Sequence, residues 1–128
     1  ITFQSKIGAD GKSTVTREVL NRIYEAAADG GSGRLLVYSS DQNVPADVSG
    51  MRAAVVIEGA ETHTRTGFVE VDLGAVSALP AGVVERLESP VIEVPVTHAK
   101  VFGWYDNEYG SYTNLLGDLS VYVSRRLR

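Results

Sequence analysis

One seven-residue stretch, Trp104 to Gly110, constrains this chain more than any other part of its sequence. It groups aromatic, acidic and amide side chains with a glycine, between an apolar run, Ala99 to Phe102, and a helical pattern that fills the C-terminus. Such strand-to-helix corners often hold ligands in α/β proteins, because helix N-terminal N–H groups and end-of-strand side chains converge there. The alternative is a purely structural helix cap. We expect Asp106 and Glu108 to tie the corner together by accepting hydrogen bonds from backbone N–H groups.

The hydrophobic pattern of the chain predicts an α+β fold, with a mainly antiparallel mixed sheet covered by helices on one face. Alternation and short apolar runs predict strands at residues 1–7, 35–38, 53–57, 61–66, 91–96 and 99–104. Pro95 cannot donate to a ladder, so its strand is predicted to lie at an edge. A first helix is predicted to reach about Ala28, with Ile23 in its apolar stripe, and to end in the glycine-rich turn of residues 29–33.

A long helix over about residues 108–127 is predicted to close the chain. Its apolar positions recur at helical spacing and form one stripe: Leu115, Leu116, Leu119, Tyr122, Val123 and Leu127. The C-terminal end carries Arg125, Arg126 and Arg128, and cations are favourable at that end of a helix dipole. The stripe requires an apolar surface to pack against.

Composition excludes several classes of protein. The chain has 128 residues, 44% of them hydrophobic, and its net charge of −4 gives no basic footprint for nucleic acid. No apolar run approaches the roughly 18 residues of a membrane span, and no signal-peptide pattern is present, so we expect a cytoplasmic protein.

The absence of cysteine removes disulfides, thiolate metal ligands and a cysteine nucleophile. Because the sequence begins at Ile1 rather than Met, we expect it to be part of a longer protein.

The motif resembles the C-terminal signature of phosphorylating glyceraldehyde-3-phosphate dehydrogenases. In that family, Trp-Tyr-Asp-Asn-Glu-aromatic-Gly is followed by Tyr-Ser-Asn, three mostly apolar positions and Asp-Leu. Residues Ser111 to Leu119 fit this continuation if Ser111 is an insertion. The resemblance extends to the preceding strand–helix–strand unit, where Arg17 to Ala27 looks like the family's helix. It implies that residues 1–128 form a single partial domain, similar to the last part of the family's catalytic domain.

The resemblance also implies a cofactor site for NAD or NADP. Asn107 matches the asparagine that fixes the nicotinamide ring, and a primary amide suits this role because it offers both donors and an acceptor to a carboxamide. Tyr112 resembles a tyrosine beside the nicotinamide, and Tyr105 a residue that faces the catalytic pair. Capping is the alternative role for Asn107, and helix-to-sheet packing for Tyr112. Neither His63 nor His98 matches the catalytic histidine, so we expect no catalytic residue and no metal site here.

Much of the family's machinery has no match in this chain. The resemblance implies that the catalytic cysteine, the histidine base and a dinucleotide-binding domain lie upstream, so the isolated chain is expected to show no dehydrogenase activity. The longer protein would be an NAD(P)-dependent phosphorylating aldehyde dehydrogenase. Its N-terminal dinucleotide-binding region would be a partner of this chain. The longer protein would form a homo-oligomer, typically a tetramer, and would bind neither nucleic acid nor membrane. The alternative is a non-enzymatic, dehydrogenase-like module for binding or assembly.

Residues from about 66 to 95 have no recognised counterpart in the family, which joins the flanking strands by a short turn. The segment contains too many apolar residues for a solvated loop, among them Val69, Val83, Leu87, Val91 and Ile92. We therefore expect a strand–helix–strand insertion whose apolar side chains are buried on this chain or against a neighbouring subunit.

Overall fold

A computed structural model describes residues 1–31 and 35–127 of the chain. In these ranges the elements follow one another as β1 (Thr2–Phe3), α1 (Arg17–Asp29), β2 (Leu36–Ser39), α2 (Pro45–Val48), β3 (Val55–Glu58), β4 (His63–Asp72), α3 (Ala81–Val84), β5 (Val91–Lys100), β6 (Gly103–Trp104) and α4 (Ser111–Arg126). The predicted α+β class and the C-terminal helix are confirmed. Ser32 and Gly33 of the predicted turn, and Arg128 of the predicted last helix, lie outside the described residues.

The strands form two three-stranded sheets, one in each of two compact units. The first unit comprises Ile1–Thr16 and Thr64–Ala99, and its sheet has the order β1-β5-β4, with β1 antiparallel to β5. The second unit comprises Arg17–His63 and Lys100–Arg128. Its sheet has the order β2-β3-β6, with β3 parallel to β2 and antiparallel to β6.

The strand that contains Pro95 does not lie at a sheet edge as predicted. β5 runs from Val91 to Lys100 and lies between β1 and β4. Pro95 is tolerated there because β1 is only two residues long and pairs with β5 at Thr97 and His98, beyond the proline. The missing N–H of Pro95 therefore removes no hydrogen bond to β1.

Three hydroxyl groups bond one another in the first unit. Ser5 Oγ lies 2.7 Å from Ser13 Oγ and 2.6 Å from Thr97 Oγ1, and the Thr97 hydroxyl donates to Ser13 Oγ at 2.6 Å. Thr97 and Ser13 are both buried. Thr97 lies in β5 between the buried apolar residues Val96 and Ala99. Because the hydroxyls satisfy one another, their burial leaves these polar groups paired.

The segment of residues 66–95 folds as expected into a strand, a short helix and a strand, within β4, α3 and β5. Its apolar side chains remain largely exposed on this chain: Phe68, Val69, Val83, Leu87, Val91 and Ile92. Of the two alternatives, burial on this chain is not seen for these side chains, because one short helix and a 3₁₀ turn supply too few side chains to cover two ten-residue strands. Burial against a neighbouring subunit stays a prediction.

In the second unit, α1 lies against β2. The buried apolar residues of this unit are Val48, Ala53, Val56 and Ile57. Ile23, which the sequence placed in the packed stripe, is exposed. Asn21 is half-buried instead, and its side chain donates to the Gly59 carbonyl at 2.9 Å.

α4 begins at Ser111 rather than near Glu108, because Gly110 has a non-helical backbone, with ψ −98°. An ion pair between Arg52 and Asp118, 3.6 Å apart, joins α4 to the loop before β3. Most of the predicted apolar stripe is exposed: Leu116, Leu119, Tyr122, Val123 and Leu127. We call these five residues the α4 apolar face. The prediction that α4 needs a partner from outside this chain accords with their exposure.

Candidate functional site

The corner begins where β6 ends. β6 pairs with β3, and a Cβ on Gly103 would lie 2.7 Å from Val55 Cγ2, so glycine lets the two strands approach closely. The chain then turns over residues 105–110 and enters α4 at Ser111. The corner is therefore fixed to the sheet at one end and to a helix at the other.

Asp106 ties this corner together with its carboxylate. Its Oδ2 accepts the Gly50 N–H at 2.7 Å, and its Oδ1 accepts the N–H groups of Glu108 at 2.8 Å and Tyr109 at 3.2 Å. Its backbone N–H donates to Ser111 Oγ at 3.3 Å, and its carbonyl accepts the Ser111 N–H at 3.2 Å. The predicted structural role of Asp106 is confirmed, whereas Glu108 takes part through its backbone N–H.

Two glycines allow the chain to close around Asp106. Gly110 is buried, and a Cβ there would overlap the Met51 carbonyl oxygen and lie 3.0 Å from Asp106 Oδ2. Gly50 has a φ of +78°, in the left-handed region that favours glycine. Neither contact was foreseen from the sequence, although the Ser-Gly pair after α2 is a recognisable turn signal.

These hydrogen bonds stabilise the ionised form of Asp106. The N–H of Gly50, followed by that of Glu108, lowers the pKa of the Asp106 carboxyl below its ordinary value of 3.8. The unfolded chain therefore binds this proton more readily than the folded chain does. The resulting stabilisation is complete above the ordinary pKa and is lost as the pH falls through the lowered one.

We predict that Asp106→Asn reduces the acid sensitivity of the chain. The wild-type melting temperature should fall as the pH is lowered from about 5 to about 3, because protonation removes an acceptor from three backbone N–H groups. The variant should start from a lower melting temperature and lose less over the same interval. Circular dichroism melts at a series of pH values test this. Parallel curves for the two proteins would contradict the assignment.

A second carboxylate anchors the start of the corner. Glu58, only 3% exposed, accepts hydrogen bonds from the indole N–H of Trp104 and from Asn43 Nδ2, the latter at 3.4 Å. The bond from Trp104, with that from Asn43, lowers the pKa of the Glu58 carboxyl. Sequence reasoning missed Glu58; the available signal was an acid at the end of an apolar strand. Its effect is to hold the Trp104 ring in one orientation.

Asn107 lies at the surface of the corner. It helps to line a pocket of about 250 Å³ whose walls are Pro45, Val48 and Ser49 on one side and Trp104 to Glu108 on the other. Asn107 is exposed, and among the described residues its side-chain amide makes no hydrogen bond. A backbone held by hydrogen bonds to Asp106 thus presents a primary amide whose donors and acceptor are free for a ligand such as a carboxamide.

Tyr112 lies beside the pocket rather than in its wall. Its ring centroid is 5.7 Å from that of Tyr105, at an interplanar angle of 55°, and Tyr105 is a wall residue. Both rings are exposed. Tyr112 therefore contacts Tyr105 at the corner, but it does not line the pocket that contains Asn107.

The two histidines lie elsewhere and have local partners. His63 Nε2 is 4.0 Å from a Glu61 carboxylate oxygen, and His98 Nδ1 is 2.9 Å from Thr2 Oγ1. Residues 1–31 and 35–127 contain no group of three side chains able to hold a metal ion. No helix within that part of the chain is long and apolar enough to cross a membrane.

Comparison with known proteins identifies the resemblance independently. No family model matches the chain. It is 28% identical over 113 residues to glyceraldehyde-3-phosphate dehydrogenase 2 of Streptomyces avermitilis, and 28% identical over 114 residues to glyceraldehyde-3-phosphate dehydrogenase of Streptomyces coelicolor. It is also 28% identical over 112 residues to glyceraldehyde-3-phosphate dehydrogenase 1 of Bacillus cereus.

Each match covers 88% of this chain and 25% of the relative. The chain therefore spans about a quarter of the length of the curated relatives that it matches. The family resemblance predicted from the corner motif is confirmed: over most of its length, this chain is similar to part of a glyceraldehyde-3-phosphate dehydrogenase.

Proposed function

We propose that this chain is the C-terminal part of an NAD- or NADP-dependent phosphorylating aldehyde dehydrogenase, and that its corner positions the nicotinamide ring through Asn107. The proposal rests on one observation, which is where the structure places the residues of the sequence motif. The residues that match the family's signature form one fixed corner, and the residue that matches the nicotinamide-binding asparagine exposes an unpaired amide on it.

The donor set fits a nicotinamide carboxamide. The amide of Asn107 offers N–H donors and a carbonyl acceptor, and a carboxamide offers the same pair in reverse. When bound, the nicotinamide ring accepts hydride from the substrate. The contribution of this chain is orientation: Asn107 would hold the carboxamide so that one face of the ring points to the substrate.

Tyr105 and Tyr112 would shield the same site. Their rings contact each other at a tilted angle, which aromatic pairs favour, and Tyr105 lines the pocket that contains Asn107. We assign to Tyr112 the position beside the nicotinamide that its match in the family occupies. The inserted Ser111 is accommodated as the first residue of α4, buried against the backbone of Asp106.

The remaining surfaces support a larger assembly. The α4 apolar face is exposed over more than three helical turns, from Leu116 to Leu127, and suits a covering region such as the N-terminal dinucleotide-binding part of the longer protein. The exposed side chains of the segment of residues 66–95, such as Phe68 and Ile92, suit contacts between subunits of a homo-oligomer. We propose that this segment enlarges a subunit interface.

In the full-length protein, we predict that Asn107→Ala raises the KM for the nicotinamide cofactor about tenfold and lowers the rate of hydride transfer. Removing one partner of a buried amide pair costs about 1–3 kcal/mol, because the other partner is left without its hydrogen bonds. Asn107→Asp should be at least as harmful, since it replaces the donor by a second acceptor. Steady-state and single-turnover reduction of NAD or NADP with glyceraldehyde 3-phosphate and phosphate would measure both effects.

Gln4→Ala provides the matched control, because Gln4 is another exposed carboxamide, in the first unit. It should leave both kinetic constants unchanged. Wild-type kinetics in Asn107→Ala would show that Asn107 has no role in cofactor binding and is only a surface residue of the corner. A full-length protein that reduces neither cofactor would support the alternative of a binding or assembly module.

A further inference from the structure

Asp106 has more connections than the start of α4 requires. We propose that Asp106 is a positioning residue, which sets the orientation of Asn107 by holding the corner and the Gly50 loop in one fixed arrangement. The proposal rests on the proposed function, since it assigns Asp106 a part in nicotinamide binding.

The main chain decides which region the Asn107 amide can reach. The side chain makes no hydrogen bond within the described residues, so the direction of its Cα–Cβ bond, which the backbone sets, is what aims it at the pocket. The peptide unit that follows Asn107 ends in the Glu108 N–H, which Asp106 Oδ1 accepts at 2.8 Å, and the next N–H, of Tyr109, bonds the same oxygen. The Asp106 carboxylate therefore fixes the peptide immediately after Asn107.

The other carboxylate oxygen holds the opposite wall of the pocket. Oδ2 accepts the Gly50 N–H at 2.7 Å, and Gly50 follows α2, whose residues Pro45 and Val48 form that wall. A Cβ on Gly50 would meet no atom within 4 Å, so glycine serves there for its backbone angle and not for space. That angle directs the N–H at Asp106. One carboxylate thus sets the spacing of both walls.

Only a carboxylate satisfies this arrangement. Three N–H donors converge on two oxygens, and Asp supplies acceptors on both. Asn supplies one oxygen and turns an NH₂ group toward a remaining donor. Ser retains an acceptor for the N–H groups two and three residues on, as in other capping turns, but its side chain is too short to reach Gly50. Asp106→Ser therefore separates the Gly50 contact from the local contacts.

A double-mutant cycle in the full-length protein tests the proposal. Asp106→Asn is expected to raise the KM for NAD or NADP about tenfold in the wild-type background and to have little effect on that KM in the Asn107→Ala background. Asp106→Ser should give a smaller rise, which also vanishes in the Asn107→Ala background. Asp72→Asn is the control: the Asp72 carboxylate accepts one backbone N–H, from Gly74 at 2.8 Å, outside the corner. Asp72→Asn should leave the KM for NAD or NADP unchanged in both backgrounds.

The outcomes separate this inference from the proposed function. If Asn107→Ala itself leaves cofactor binding unchanged, the proposed function fails and the inference fails with it. If Asn107→Ala weakens cofactor binding while Asp106→Asn and Asp106→Ser do not, or if the effects multiply independently, only the positioning role is overturned. If Asp106→Asn does not fold, the cycle with Asp106→Ser and Asn107→Ala decides the question by the same criterion.

Discussion

Replacing Gly110 by alanine is expected to destabilise the isolated chain by about 3 kcal/mol, the upper part of the usual range for overpacking. The new Cβ would overlap the Met51 carbonyl oxygen, which belongs to the backbone and cannot rotate away, and would lie 3.0 Å from Asp106 Oδ2. Relief requires Gly110 to withdraw from Met51, and this movement breaks the arrangement around Asp106. Urea unfolding of the chain measures the loss of stability.

Gly117→Ala, inside α4, is the matched control for the substitution at the residue before the helix. A Cβ on Gly117 meets no atom within 4 Å, and alanine is favoured over glycine in a helix interior by about 1 kcal/mol. Gly117→Ala should therefore stabilise the chain, whereas Gly110→Ala should destabilise it. Equal and small effects of the two substitutions would show that the corner does not pack against the Met51 backbone.

In the full-length protein, Leu119→Ala is expected to lower the free energy of unfolding by about 2–5 kcal/mol, as for a buried leucine, but by less than about 0.5 kcal/mol in the isolated chain. Leu119 is 56% exposed here, so its truncation removes few contacts within the chain. If the remainder of the protein covers the α4 apolar face, the same truncation leaves a cavity in an interface. Comparing urea unfolding of the two proteins measures the difference.

Val121→Ala is the control for the helix. Val121 is 51% exposed and lies two residues after Leu119, on roughly the opposite side of α4. Its truncation should have a small effect in both proteins. A small effect of Leu119→Ala in the full-length protein would contradict the proposal that the α4 apolar face is covered there.

The sequence predicted those features that depend on local patterns. Helical periodicity indicated α1 and α4, and apolar runs indicated β2 and β3, because apolar residues recur at a regular spacing within these elements. The corner motif indicated both the resemblance and the tie at Asp106. These signals are contained in a few consecutive residues, so they do not require knowledge of distant contacts.

The features that the sequence did not predict depend on partners far along the chain. β5 can lie inside its sheet despite Pro95 because β1 pairs only with Thr97 and His98, and no pattern within β5 reveals this. Ile23 is exposed, while Asn21 is half-buried and donates to Gly59, 38 residues away. The buried Glu58 depends on the Trp104 indole, 46 residues away. Each result involves one specific long-range hydrogen bond or strand register, to which periodicity is insensitive.

A crystal structure of the full-length protein with NAD or NADP bound would show whether Asn107 positions the nicotinamide. We expect the nicotinamide carboxamide to lie in the pocket at the corner, with its oxygen and nitrogen each within about 3.2 Å of the Asn107 side-chain amide. We also expect Asp106 still to accept the N–H groups of Gly50 and Glu108. A nicotinamide ring held by other residues, with the Asn107 amide directed into solvent, would contradict the proposed role of Asn107.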